Sequence, residues 1–197
     1  MPPEAQAKDK PERPTAAREL DSLAALQEFA RRGFRKTTIV SLADAMGVAR
    51  QTLYNHFNNK ETVLEWAIRS LIAELRGDAL ERFATAKPVG EVLLGVFVAW
   101  LGPIVALLRA GPYSEEVLGL SRQIRQPTNA DPLQHMRGAV RDYLFAQRVR
   151  THKTDADDLS LLLIYAAKGL MMRCETESEF KTKMRQLIRA AIDTPHH

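Results

Sequence analysis

Three observations predict an all-α chain. Apolar residues recur at helical spacing in each patterned stretch. No run alternates polar and apolar between turn residues, so no strand is expected. Glycines and prolines punctuate the sequence at intervals that suit helices. At 197 residues, the chain fits one or two domains and is long enough to bury roughly 70% of its extended surface. Its 45% hydrophobic and 26% charged residues are ordinary globular values, which excludes collagen-like and wholly disordered classes. There is no internal repeat.

Residues 1–14 carry Pro2, Pro3, Pro11 and Pro14 among charges and read as a flexible tail without the apolar core of a signal peptide. Thr15 is the expected cap of a first helix running to Arg32, with Leu20, Leu23, Ala24, Leu26, Phe29 and Ala30 inward and Gly33 as its stop. Ile39, Leu42, Ala43 and Met46 make a short apolar face, Gly47 supplies a turn, and Val48, Leu53 and Phe57 restart the pattern. From Val92 to Leu108 seventeen residues carry no charge. A spanning helix wants about 20, and Gly102-Pro103 interrupts this run, so it reads as a core helix kinked at the proline.

Lys87-Pro88, Gly111-Pro112 and Gln126-Pro127 are the breakers of the central region. Asp131-Pro132 is a good cap and first residue for a helix with Leu133, Met136, Val140, Tyr143 and Leu144 at helical spacing. Thr154 or Asp155 opens the next helix, with Asp157 and Asp158 in its first turn. Thr176 and Glu179 have the spacing of a capping box before Phe180, Met184, Leu187 and Ile188.

The formal net charge is +4, and it is concentrated. Residues 31–60 hold Arg31, Arg32, Arg35, Lys36, Arg50 and Lys60 against Asp44 alone, with Glu28 and Glu61 just outside. On charge alone this is a solvated basic face. It is also what a surface facing phosphates needs, since neutralising phosphates releases counterions.

The two short helices around Gly47 describe a helix-turn-helix. The second would present Arg50, Gln51, Thr52, Tyr54 and Asn55 outward, donors and acceptors on a narrow rod of the kind that reads a major groove. Arg50, Gln51, Thr52 and Asn55 are the candidates for base edges. Lys60, after Asn58-Asn59 at the start of the following helix, is a candidate for a phosphate. Thr38 is placed to cap the first short helix, Tyr54 to pack partly with its hydroxyl in water, and His56 to pack against the domain or touch a phosphate.

Arg32-Gly33-Phe34, Thr37-Thr38-Ile39, Leu42-Ala43, Gly47-Val48, Leu53-Tyr54, His56-Phe57 and Lys60-Glu61 together resemble the amino-terminal signature of the TetR (tetracycline-repressor-like) family of bacterial transcriptional regulators. The match covers about residues 16–66 in fixed register. The resemblance implies a DNA-binding head, with Thr38 and Tyr54 on the DNA backbone. The sequence departs from the pattern at Ala49, where the family often has a capping Ser or Thr, and at Asp21-Ser22, where it has an aliphatic pair.

The same resemblance implies a cytoplasmic homodimer binding a pseudo-palindromic operator, with residues 15–62 as the DNA-binding domain and 63–197 as a helical regulatory and dimerisation domain. Pairing would use the helices near 132–149 and 155–174, the second of which is apolar on more than one face. A small apolar or amphipathic effector would release the DNA. Phe97, Trp100, Tyr113, His135, Met136 and Met172 are the candidates to line its pocket, although core packing alone accounts for them. The single cysteine, Cys174, excludes an internal disulfide and has no resolving partner for redox sensing. No metal-ligand spacing, phosphate loop or nucleophile elbow points to an enzyme or a cofactor. The alternatives are a regulator that has no effector, and a helical ligand-binding protein or enzyme with an incidental basic head.

Overall fold

A computed structural model describes residues 20–123, 132–149 and 152–193. Its helices are α1 (Ser22–Arg32), α2 (Ile39–Met46), α3 (Arg50–His56), α4 (Lys60–Arg82), α5 (Val89–Leu108), α6 (Ser114–Gln123), α7 (Pro132–Ala146), α8 (Lys153–Arg173) and α9 (Glu177–Asp193). The described residues contain no strand, as the periodicity predicts.

Local chemistry sets most of the helix ends. The Asp21 carboxylate accepts from the Ala24 amide at 2.8 Å, so α1 begins at Ser22. The start expected at Thr15 is therefore too early for this helix, and Thr15 and the tail lie outside the described residues. Gly33, at φ 78°, ends α1. Ala49 caps α3 with no side-chain hydrogen bond, as its methyl requires. His152 caps α8, two or three residues before the expected cap, and Asp155 is the acid of its first turn. At α9 the Thr176 hydroxyl accepts from the Glu179 amide at 3.1 Å, but the Glu179 carboxylate turns back to the Glu175 amide at 2.8 Å. That is half of the expected box. Asp131 and Gln126-Pro127 lie outside the described residues.

Helices α1 to α3 form a head in which α1 packs on α2, and α2 on α3. Helix α4 packs on both α1 and α5, and α5 also meets α8 and α9. The boundary expected after residue 62 falls in the first turn of α4, which belongs to both halves. Helix α5 is long and apolar enough to cross a membrane by length and composition, but it is the core helix here: Val92, Leu93, Val96, Phe97 and Val105 are almost wholly inaccessible. Gly102-Pro103 does not end the helix: Pro103 lies inside one uninterrupted α5. Gly102 serves α9 instead: a Cβ there would lie 3.0 Å from the Glu177 side chain.

Candidate nucleic-acid interface and the cavity behind it

Helix α2 is fixed by a reciprocal cap. The Ser41 amide donates to Thr38 Oγ1 at 3.1 Å, and the Thr38 amide donates to Ser41 Oγ at 3.2 Å. The Thr38 side chain is exposed and its own hydroxyl proton is free to donate outward. Gly47, in the left-handed region at φ 67°, turns the chain into α3. A residue with a Cβ would be strained there even though the space is open.

Leu53 seats α3 in the core at 0% exposure, and Phe57 packs its ring 5.3 Å from that of Trp66. The opposite face carries Arg50, Gln51, Tyr54 and Asn55, all exposed, with Thr52 half-buried. The Gln51 side-chain amide donates to Asn55 Oδ1 at 2.9 Å, so the two amides stand as one unit. His56 is half-buried, with its ring 6.3 Å from Phe57.

The basic segment is less uniform than its sequence implies. Glu28, 5% exposed, takes Arg31 Nη2 at 2.6 Å and lies 2.5 Å from Arg32 Nε. The Arg32 contact is charge attraction without hydrogen-bond alignment, since Glu28 Oε1 has no hydrogen-bond partner. Arg35, Lys36 and Arg50 are exposed, and these three supply the positive potential around α2 and α3. Lys60 behaves differently. Its Nζ donates to the carbonyls of Phe34 at 2.7 Å, Arg35 at 3.1 Å and Thr37 at 3.3 Å, and lies 4.7 Å from the centre of the Phe34 ring. The ammonium expected to face a phosphate is turned inward onto the loop between α1 and α2.

The six residues expected to line a pocket stand at several places in the fold. Phe97 and Met136 are fully buried core residues, and Trp100 lies 6.5 Å from the Phe97 ring. His135 and Met172 are exposed on α7 and α8. Tyr113 stacks on the head: a Cβ at Gly33 would meet its ring at 3.0 Å, and its amide donates to the Ala30 carbonyl at 2.9 Å. The sequence signal for this joint was the breaker Gly111-Pro112. Gly111 comes so close to α1 that a Cβ would lie 2.5 Å from the Ala30 oxygen.

A cavity of about 140 Å³ does exist, between α1, α4, α5 and α6, and none of those six residues lines it. Its walls include Leu26, Ile68, Leu71, Ile104, Leu107 and Val117. Ser114 and Ser121 also border it, but both hydroxyls donate to main-chain carbonyls, Ser114 to Leu107 at 2.9 Å and Ser121 to Leu118 at 2.8 Å. It therefore offers almost no polar recognition.

On α8, Leu162, Tyr165, Gly169 and Met172 recur at three- and four-residue spacing and are all exposed, a seam pattern. Phe145 of α7, which packs beside α8, is also exposed. Arg137 pairs with Asp157 to tie the two helices together. Cys174 is wholly buried at the end of α8, and burial pushes its thiol pKa up.

Residues 23–66 match the family described as bacterial regulatory proteins, tetR family. The HTH-type transcriptional repressor KstR2 of Mycolicibacterium smegmatis is 38% identical over 94 residues, 47% of this chain and 45% of that protein. The KstR2 of Rhodococcus jostii is 39% identical over 66 residues, 34% and 31% of the two chains. The match thus spans less than half of each curated relative. Among solved structures, the fatty acid degradation regulator FadR from Bacillus halodurans superposes with a TM-score of 0.58 at 16% identity, over 95% of this chain and 100% of that one. A transcriptional regulator from Rhodococcus sp. Rha1 gives 0.57 at 15% identity, over 91% and 97%. At such identities the likeness is one of fold.

Proposed function

Because the chain belongs to the TetR family of bacterial regulatory proteins, we propose that it is a repressor in the bacterial cytoplasm, binding a pseudo-palindromic DNA operator as a homodimer and released by a small apolar effector. The observation that carries this reading is the outer face of α3. Arg50, Gln51 and Asn55 stand exposed on a helix whose other side is anchored by Leu53. Arg50 suits the acceptor pair of a guanine edge, and the Gln51–Asn55 amides suit an adenine edge. Thr52 is at the margin of that face. Thr38, Tyr54 and His56 flank it, where hydroxyl and imidazole donors would reach the DNA backbone.

One head reads few base pairs, so specific affinity calls for two. The apolar seam on α8, with Phe145 of α7 beside it, supports pairing through these helices. The cavity behind the head supports an effector: an apolar space near 150 Å³ is about large enough for benzene. Its wall includes α1 of the head as well as α4, so an occupant would press on the DNA-binding unit directly.

The test is selection of duplexes from a random-sequence pool with the full-length chain. Enrichment of a two-fold repeat is expected. Arg50→Ala should then relax preference at one base pair per half-site, a loss of about 1–3 kcal/mol of discrimination there. Failure to enrich any duplex would overturn the reading.

A further inference from the structure

Lys60 differs from Arg31 and Arg32, which pair with the Glu28 carboxylate, in that its donors converge on main-chain carbonyls. An ammonium has three hydrogens, and three carbonyl oxygens lie within 3.3 Å of Nζ: those of Phe34, Arg35 and Thr37. The Phe34 ring covers a further side at 4.7 Å. That ring is in turn stacked on Phe29 of α1, with 5.8 Å between centroids. The clamped loop leads straight into Thr38, which caps α2.

We propose that Lys60 is a positioning residue, whose ammonium fastens the first turn of α4 to the α1–α2 loop and so fixes Thr38 and α2 for DNA, without neutralising a phosphate. The chemistry favours this arrangement. Nζ has no hydrogen left for a phosphate oxygen unless a carbonyl is released, and a carbonyl released in this half-buried loop loses a charge-assisted bond. Only a compact cation on a flexible stem can serve three oxygens around one point. The planar fork of arginine cannot. The inference rests on the DNA-binding reading for its consequence, but the clamp itself is a property of the free protein.

Two variants of the full-length chain test it. Lys60→Met keeps the stem over Phe34 and removes charge and donors; Lys60→Arg keeps the charge and breaks the convergence. Hydrogen exchange without DNA is the first measurement. In both variants the amides of residues 37–42 should exchange faster while those of α5 and α9 keep their protection. Unchanged exchange at residues 37–42 would overturn the clamp, whatever becomes of the DNA-binding reading. Affinity is the second, on the selected duplex and on a scrambled one across salt concentrations. Lys60→Met should bind both more weakly with the wild-type slope of log affinity against log salt. A phosphate contact would instead lower the slope by about one per head. Lys60→Arg should be weakened as well, although its charge is intact. Wild-type affinity in Lys60→Arg would overturn the proposal, and this arm stands even if Lys60→Met does not fold.

Discussion

Replacing Gly111 by alanine adds one methyl group at the place where the body of the protein touches the back of the DNA-binding head. A Cβ built there lies 2.5 Å from the Ala30 carbonyl oxygen, 2.7 Å from the Arg31 Cα and 2.8 Å from the Ala30 carbonyl carbon. All three are main-chain atoms of a helix, so no side chain can swing aside. The turn must back away by most of an ångström to restore ordinary contact. Backing away stretches the bond from the Tyr113 amide to the Ala30 carbonyl, now 2.9 Å, and lifts the Tyr113 ring from Gly33. Overpacking of this kind costs about 1–3 kcal/mol, and the stretched hydrogen bond about 0.5–1.5 kcal/mol more. The expected loss is about 2–4 kcal/mol in urea unfolding followed by circular dichroism.

Gly77 is the matched control. It lies within α4, is exposed, and a Cβ there has no neighbour within 4 Å. Gly77→Ala should therefore stabilise, by roughly 0.5–1 kcal/mol, because alanine loses less chain entropy in a helix. The two variants change the same atoms, and the reasoning predicts opposite signs. Unfolding of Gly111→Ala within about 0.5 kcal/mol of wild type, inside the range of an ordinary surface change, would refute the account of the joint. Gly111→Ala leaves α3 untouched, so a change in its DNA affinity at temperatures where it is folded would report the seating of the head.

Three further outcomes are expected. Thr38→Ala removes the reciprocal cap of α2 and should cost about 0.5–2 kcal/mol of stability by thermal unfolding, while Thr38→Ser keeps the hydroxyl and should come close to wild type. Leu162→Glu places a charge in the middle of the exposed α8 seam; light scattering should show dimer becoming monomer with circular dichroism unchanged, and a persistent dimer would place the pairing surface elsewhere. Cys174 should resist alkylation by iodoacetamide at pH 7 in the native protein and react on unfolding. Burial raises its thiol pKa, so the reactive thiolate is scarce until pH climbs well above neutral; fast native labelling would contradict the burial.

Helices were legible because the core repeats with the helical period: Leu26 and Phe29, Met136 and Val140, Phe180, Met184 and Ile188 are all inward as read. The turn at Gly47 and the outward residues of α3 were legible because a short helix on a single anchor leaves little choice of face. The start of α1 was not, since Thr15 and Asp21 are both acceptable caps, and only the observed bond to the Ala24 amide distinguishes them. Lys60 shows the sharper limit. Sequence places a cation at a helix start, where a phosphate would be welcome, but carbonyls of a loop some 25 residues earlier compete for the same hydrogens. Non-local pairing of this kind has no periodicity to read. The lining of a pocket is illegible for the same reason: Phe97 and Met136 are spaced like any core residue, and which apolar faces leave a gap between them depends on how the helices cross.

Helix α4 carries both the Lys60 clamp and the cavity wall, and this sets a ceiling on what a small effector can do. Ile68, Leu71 and Ile72 line the cavity, about 12–18 Å along the helix from Lys60 at 1.5 Å per residue. A rigid helix would carry displacement at one place to the other. The free energy available is that of differential binding to the two states and no more. Fully burying a group the size of one apolar side chain supplies about 1.5–3 kcal/mol, and a coupling of 3 kcal/mol is about 150-fold in affinity. Turning a population from 1:99 to 99:1 takes about 5.5 kcal/mol. Benzene, the probe that fits about 140 Å³, should therefore weaken operator binding by no more than about 150-fold at saturation, and Val117→Phe, which fills the space, should abolish that response. Titration of DNA affinity against benzene measures the ceiling directly. A larger effect would show that the probe also occupies a second place, and no effect with a rise in melting temperature would show that the cavity binds without moving the head.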